Sequence, residues 1–129
     1  MRGEQYLTKP RQFALVYDKG RSWVSGLAVM KALPNGLGLS RYGFSVSKRV
    51  GSAVTRNRVK RLFREILRMM PVKSGWDIVF IARAGAARAD YAALKNEIGG
   101  LLCRARLLVT EEEQASLAEA NAGSGRGSD

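Results

Sequence analysis

A chain of 129 residues is long enough for one domain with a modest core, and its net charge of +11 indicates a negatively charged partner. The absence of histidine and the single cysteine, Cys103, exclude an internal disulfide and an ordinary zinc site. No apolar run suits a secretory signal or a membrane span, so we expect a soluble, cytoplasmic protein.

A short helix is predicted first along the chain. Thr8 is a candidate N-cap, Pro10 suits the first helical turn, and Gly20 ends the segment. Phe13 and Tyr17 then share one helix face at i and i+4. Such a pair either packs in the core or offers planar faces to unpaired bases, and the spacing leaves both interpretations open.

Two strands are predicted next. The apolar run from Leu27 to Leu33 ends at a Pro-Asn-Gly turn. The segment from Tyr42 to Lys48 alternates, which puts Tyr42, Phe44 and Val46 on a core face and Gly43, Ser45 and Ser47 on a small, polar face.

The segment after Gly51 predicts a helix to about Met70, where Pro71 stops it. At about 100° per residue, one face carries the apolar side chains Val59, Leu62, Phe63, Ile66, Met69 and Met70. The opposite face carries Asn57, Lys60, Arg61, Arg64 and Arg68, with Arg56 and Arg58 on its flanks. We call this helix the basic helix.

The second half of the chain predicts one more strand and one more helix. The strand runs from Trp76 to Ala82 and is apolar enough to be buried on both faces. The helix starts at Asp90 as N-cap and reaches about Leu108, with a bend or early stop at Gly99 and Gly100 as an alternative. Cys103 lies among its leucines, so we expect a small buried side chain.

Residues 1–110 then form a single RNA-binding domain, and the glycine-rich, polar residues 111–129 form a disordered tail.

The charge pattern of the basic helix favours a ligand over a merely solvated surface. Eight positive side chains and one negative one lie between Lys48 and Arg68, a net +7. Lys60, Arg64 and Arg68 set like charges at i and i+4, which costs about 0.2 to 0.5 kcal/mol per pair. Arginine pairs bidentately with phosphate oxygens, so nucleic acid is the favoured partner.

RNA is favoured over DNA and over a membrane surface. No helix-turn-helix partner precedes the basic helix, and its apolar face is needed for the core rather than for lipid. No histidine base, paired carboxylate or glycine-rich phosphate loop is present, so we expect no catalytic residue and no metal site in the protein. Phosphodiester chemistry would belong to an RNA partner that holds hydrated Mg²⁺.

The run FSVSKRVGSAVTRNRVKRLFRE, from Phe44 to Glu65, resembles the signature of the bacterial ribonuclease P protein subunit, with its Arg-Asn-Arg core at residues 56–58. The resemblance covers about residues 7 to 108. It implies an α+β sandwich like the second domain of a small-subunit ribosomal protein, with a mainly antiparallel sheet and a left-handed β-α-β crossover through the basic helix.

The resemblance also implies a division of labour. A catalytic RNA would remove the 5′ leader of precursor tRNA with Mg²⁺ and leave a 5′-phosphate, while the protein binds both RNAs and contributes no catalytic group. The residues carried over as contacts to the catalytic RNA are Lys48, Arg49, Arg56, Asn57, Arg58, Lys60, Arg61, Arg64 and Arg68. Those carried over to the cleft for the leader are Phe13, Tyr17, Ser45 and Ser47.

Two other functions are compatible with the same charge. The first is a ribosome-associated or RNA-chaperone module without an enzymatic partner, and the second is a membrane-surface protein. Only the ribonuclease P interpretation predicts that the chain, inactive alone, restores cleavage of precursor tRNA at low magnesium when it is mixed with the catalytic RNA.

Overall fold

The structure, a computed structural model, describes residues 6–109. Its elements in chain order are α1 (Pro10–Lys19), β1 (Arg21–Val24), β2 (Ala28–Pro34), β3 (Arg41–Ser45), α2 (Ala53–Arg68), β4 (Trp76–Ala82), a 3-10 helix (Ala84–Arg88) and α3 (Tyr91–Arg104). The predicted tail, residues 111–129, lies outside the described residues.

The four strands form one sheet in the order β1-β2-β4-β3. The β1–β2 and β2–β4 pairs are antiparallel and the β3–β4 pair is parallel, so the mainly antiparallel α+β fold is confirmed. The basic helix, α2, makes the β-α-β connection between β3 and β4. The left hand of this crossover stays a prediction.

The sheet is covered by helices on both faces. One face packs against α2 and α3 and forms the main core, in which the rings of Phe44, Phe63 and Phe80 stack with centroids 5.4 to 6.4 Å apart. The other face carries a smaller core in which Val16 of α1 packs with Leu7 and Val79. Because β4 contributes to both cores, its apolar run is buried on both faces, as predicted.

A partly buried ion pair joins β3 to β4 at one register position. Arg41 and Asp77 are register partners, and the guanidinium donates from Nε and Nη2 to the two carboxylate oxygens at 2.8 and 2.7 Å. Asn35 donates a third hydrogen bond to Asp77 at 2.9 Å. The hydrogen bond to Asp77 is the main reason that the pKa of Arg41 is raised. The carboxylate is therefore satisfied although it is buried.

Several predicted helix ends are corrected. The N-cap of α1 is Lys9 rather than Thr8, because Pro10 occupies the first helical position. The side-chain oxygen of Gln12 accepts hydrogen bonds from the backbone N–H groups of Thr8 and Lys9. Helix α2 ends at Arg68, so Met69 is its C-cap and is 72% exposed. Leu67, which is not part of the predicted apolar face, is buried instead.

Helix α3 starts as predicted and ends earlier than predicted. Asp90 accepts a hydrogen bond from the backbone N–H of Ala93 at 2.8 Å, and the helix runs through both glycines to Arg104. Leu108 instead lies in an antiparallel bridge with Val72. The prediction for Cys103 was wrong, because its side chain is exposed although Leu101 and Leu102 beside it are buried.

Candidate nucleic-acid interface

The basic helix is anchored to the sheet by one dry face. Ser52 caps its N-terminus, and the buried side chains are Val59, Leu62, Phe63, Ile66 and Leu67. Burying a side chain of this size contributes about 1.5 to 3 kcal/mol, so the orientation of the helix is strongly fixed. The opposite face must therefore point away from the sheet.

That opposite face presents most of the predicted cations to solvent. Asn57, Arg61, Arg64 and Arg68 are exposed and Lys60 is half-buried. Glu65, the one acidic residue between Lys48 and Arg68, lies 3.8 Å from Arg61, and both side chains are largely exposed. Such a pair offsets little of the positive potential.

The two arginines of the Arg-Asn-Arg motif lie differently from the other cations. Arg56 Nε donates to the carbonyl of Gly51 at 3.2 Å. Arg58 donates to the carbonyls of Ala87 and Ala89 at 3.3 and 2.7 Å. Both side chains are half-buried, so the structure places them at the base of the exposed face rather than on it.

Lys48 and Arg49 lie in the turn between β3 and α2, and both are exposed. Ser47 closes this turn, because its carbonyl accepts from Val50 N–H at 3.0 Å and its hydroxyl accepts from Arg49 N–H at 3.3 Å. The turn continues the positive charge of α2 beyond the first turn of the helix. Ser47 is thus a structural residue of the turn as well as a predicted contact to the leader.

Of the residues predicted for the leader cleft, Phe13 packs at the smaller core, whereas Ser47 lies in the turn after β3. The ring of Phe13 packs on the backbone of Gly43 and is half-buried, and Ser45 follows on the same strand face. Tyr17, one helical turn after Phe13, is 40% exposed. Phe13 is therefore packed, as one of the two interpretations expects, and it also lines a cavity. Its contact with an unpaired leader base stays a prediction.

That cavity brings together residues from both predicted sets. Its volume is about 320 Å³, and its walls are Tyr6, Leu7, Phe13, Tyr42, Gly43, Phe44, Lys60 and Arg64. The Arg64 guanidinium carbon lies 6.0 Å from the ring centroids of both Tyr6 and Phe44, within cation–π range. Aromatic faces and cations together suit an unpaired nucleotide, whose base stacks while its phosphate pairs.

Tyr6 is the cavity residue that sequence reasoning missed. It lies before the region of resemblance and outside any periodic segment, so no spacing marks it. Its position follows from a parallel bridge to Tyr42 at the outer edge of β3 and from the hydrogen bond between Leu7 N–H and the Tyr42 carbonyl, 2.8 Å. Burial, with a contribution from Tyr6, raises the pKa of Tyr42 from 10.0 to about 12.

The described residues show neither a metal cluster nor a membrane span. Residues 6–109 contain no group of three or more histidine, cysteine, aspartate or glutamate side chains placed to hold a metal ion. Within the same residues, no helix has the length and apolar character needed to cross a bilayer.

Comparison with known proteins shows the family to which the chain is related. The model of the family "Ribonuclease P" matches residues 1–106. The chain is 47% identical to the ribonuclease P protein component of Dehalococcoides mccartyi strain CBDB1, over 90% of this chain and 97% of that one. Its identity to the same component of Caldanaerobacter subterraneus subsp. tengcongensis is 42%, over 82% and 93% of the two chains.

Solved structures give the same relationship. The fold matches a Staphylococcus aureus RNase P protein mutant, described as defective in mRNA degradation activity, with a TM-score of 0.77 at 30% identity over 81% of this chain and 91% of that one. The RNase P protein of Thermotoga maritima matches with a TM-score of 0.71 at 32% identity, over 77% and 96% of the chains. The chain therefore belongs to the ribonuclease P protein family.

Proposed function

We propose that this chain is the protein subunit of ribonuclease P, that it binds the catalytic RNA through the exposed face of α2, and that it holds the 5′ leader of precursor tRNA beside Phe13. The observation that carries the proposal is the division of α2 into a fully buried apolar face and an exposed cationic face. The family membership supports an RNA partner and a role in tRNA 5′ processing.

The contribution of α2 is electrostatic. Two RNAs repel each other as they approach, and a rigid row of arginines between them releases counterions and lowers the magnesium needed for assembly. The backbone that carries this row is fixed because the opposite face is packed in the core, so little backbone freedom is lost on binding. Lys48 and Arg49 in the preceding turn extend the same surface.

The cavity contributes selectivity. Only precursor tRNA has a leader, so a contact to an unpaired leader nucleotide favours the substrate over the mature product. Phe13 offers an aromatic ring and Arg64 offers a cation for stacking or phosphate pairing, both on the cavity wall. Ser45, which is half-buried and shares a strand face with Gly43, would offer a hydroxyl next to it. Tyr17 and Ser47 do not line the cavity, and in our proposal they contact the leader outside it, where both are exposed.

Cleavage of the phosphodiester bond is assigned to the RNA partner. The acidic side chains near β4 and α3 are committed to the fold, since Asp77 pairs with Arg41 and Asp90 caps α3. Because these carboxylates are already engaged, they do not fit a magnesium ion held by the protein. Mg²⁺ in our proposal is bound by the RNA, and the chain acts by binding and orientation.

Reconstitution tests this function. The purified chain is mixed with the catalytic RNA of a bacterial ribonuclease P and with labelled precursor tRNA at low and high magnesium. We expect no cleavage by the chain alone and restored cleavage by the mixture at low magnesium. A mixture that binds RNA but leaves the magnesium requirement unchanged would instead indicate an RNA-chaperone or ribosome-associated module.

A further inference from the structure

The guanidinium of Arg58 donates hydrogen bonds to the protein backbone. Nη2 donates to the carbonyl of Ala89 at 2.7 Å and Nη1 to that of Ala87 at 3.3 Å, and both acceptors lie about 30 residues away in sequence. These two bonds join the first half of α2 to the segment between β4 and α3. At least two of the five guanidinium N–H groups are thus unavailable to a phosphate.

The segment that Arg58 holds carries an exposed cation of its own. Ala86 and Ala89 are buried against the main core, and Arg88 lies between the two acceptor residues with its side chain exposed. The 3-10 helix that ends at Arg88 packs against α2. Arg58 therefore fixes the backbone on both sides of Arg88, beside the exposed face of the basic helix.

We propose that Arg58 is a positioning residue and that Arg88, held by it, is a further contact to a phosphate of the catalytic RNA. The inference rests on the proposed function and extends its binding surface from α2 to the segment 84–90. The nearest acidic residue in sequence, Asp90, is engaged by the first turn of α3 through the backbone of Ala93.

The physical basis is pre-organisation. An arginine on a backbone that is already fixed loses less conformational freedom on binding than one on an unanchored loop. If Arg58 were replaced, Arg88 would keep its charge, but the backbone that positions it would no longer be held by these two hydrogen bonds. The two residues should then act as a unit, whereas two separate phosphate contacts would act independently.

A double-mutant cycle tests the proposal. The affinity of the full chain for the catalytic RNA is measured over a series of salt concentrations for Arg58→Ala, Arg88→Ala and the double variant. We expect each single change to weaken binding about fivefold, and Arg88→Ala to lower the salt slope by about one. The double variant should bind as Arg88→Ala does, with the same slope.

Two outcomes would overturn the assignment. If Arg88→Ala bound the catalytic RNA with wild-type affinity, Arg88 would not be a contact to a phosphate. If the double variant bound more weakly than Arg88→Ala and with a lower salt slope, Arg58 would itself be a direct contact to the RNA. Arg58→Lys replaces Arg58→Ala if the latter fails to fold, because it keeps a charge but lacks the planar fork. Arg61→Ala, on the exposed face of α2, is the control and should add fully to Arg88→Ala.

Failure of the proposed function gives a different result from failure of this inference. If the wild-type chain did not bind the catalytic RNA, the proposed function and this inference would both be refuted. If the wild type binds and restores cleavage while the cycle is additive, only the role of Arg58 is refuted. Hydrogen exchange of the backbone in segment 84–90 should rise in Arg58→Ala and remain unchanged in Arg88→Ala.

Discussion

The ring of Phe13 lies so close to Gly43 that a β-carbon added to the glycine would stand 2.5 Å from the ring carbon Cε1. The glycine is therefore required by the close approach of α1 to β3 and not by its backbone torsion. Phe13 reaches the cavity wall only because residue 43 has no side chain.

Gly43→Ala should therefore displace Phe13. We expect a loss of about 1 to 3 kcal/mol in the free energy of unfolding, as is usual for an overpacked site, together with weaker binding of precursor tRNA. Urea unfolding and filter binding measure the two effects. Gly38→Ala is the matched control, since a β-carbon there meets no atom within 4 Å. Equal effects at both glycines would contradict the close-contact explanation.

Phe13→Ala tests the leader cleft directly. Removing the ring should weaken the binding of precursor tRNA about tenfold, or about 1 to 3 kcal/mol for one lost stacking contact, and leave mature tRNA binding nearly unchanged. The affinity of the reconstituted complex is measured for both RNAs. Leu15→Ala, on an exposed side of the same helix, should alter neither. An equal loss for precursor and mature tRNA would refute the leader role.

Arg64→Ala tests the exposed face of α2. Removing one phosphate contact should lower the slope of log affinity against log salt concentration by about one. Lys95→Ala, at an exposed lysine of α3 that lies outside the predicted RNA contacts, is the control and should leave the slope unchanged. A wild-type slope in Arg64→Ala would remove this residue from the phosphate contacts and leave it a role in the cavity alone.

Tyr42 gives the fold a specific response to alkaline pH. Its pKa is raised from 10.0 to about 12, chiefly by burial. The unfolded chain loses this proton first, so the contribution of Tyr42 to stability is constant below about pH 10 and falls by about 2 to 3 kcal/mol as the pH approaches 12. Tyr42→Phe should remove that part of the decline, measured as urea unfolding at about pH 9 and pH 11. Tyr17→Phe, at an exposed site, should decline like the wild type.

The sequence predicts the long, strongly patterned elements well. Trp76–Ala82 is found with the predicted bounds, and α2 begins after Gly51 with its apolar stripe turned to the sheet. The two glycines of α3 do not interrupt it, because Leu94 and Ile98 before them and Leu101 after them are all buried in the main core. Packing of this face outweighs the propensity cost of the glycines.

Other features depend on tertiary contacts that no local pattern encodes. Strand β1 is only four residues long and mostly exposed, and it exists because β2 pairs with it. The inward attachment of Arg58 depends on carbonyls about 30 residues away, which spacing within α2 does not reveal. Cys103 was misassigned because leucine spacing defines a buried face but does not show how wide that face is.

The two faces of α2 also link folding to assembly. One face of α2 places Phe63 and Ile66 in the main core. The other face holds several cations close together, and their mutual repulsion destabilises the chain when no RNA is bound. Added salt should therefore stabilise the free chain by screening this repulsion and, at the same time, weaken its proposed complex with RNA. Because RNA would bind only the folded helix, its binding free energy would be added to the stability of the whole domain, and the melting temperature would rise with RNA concentration.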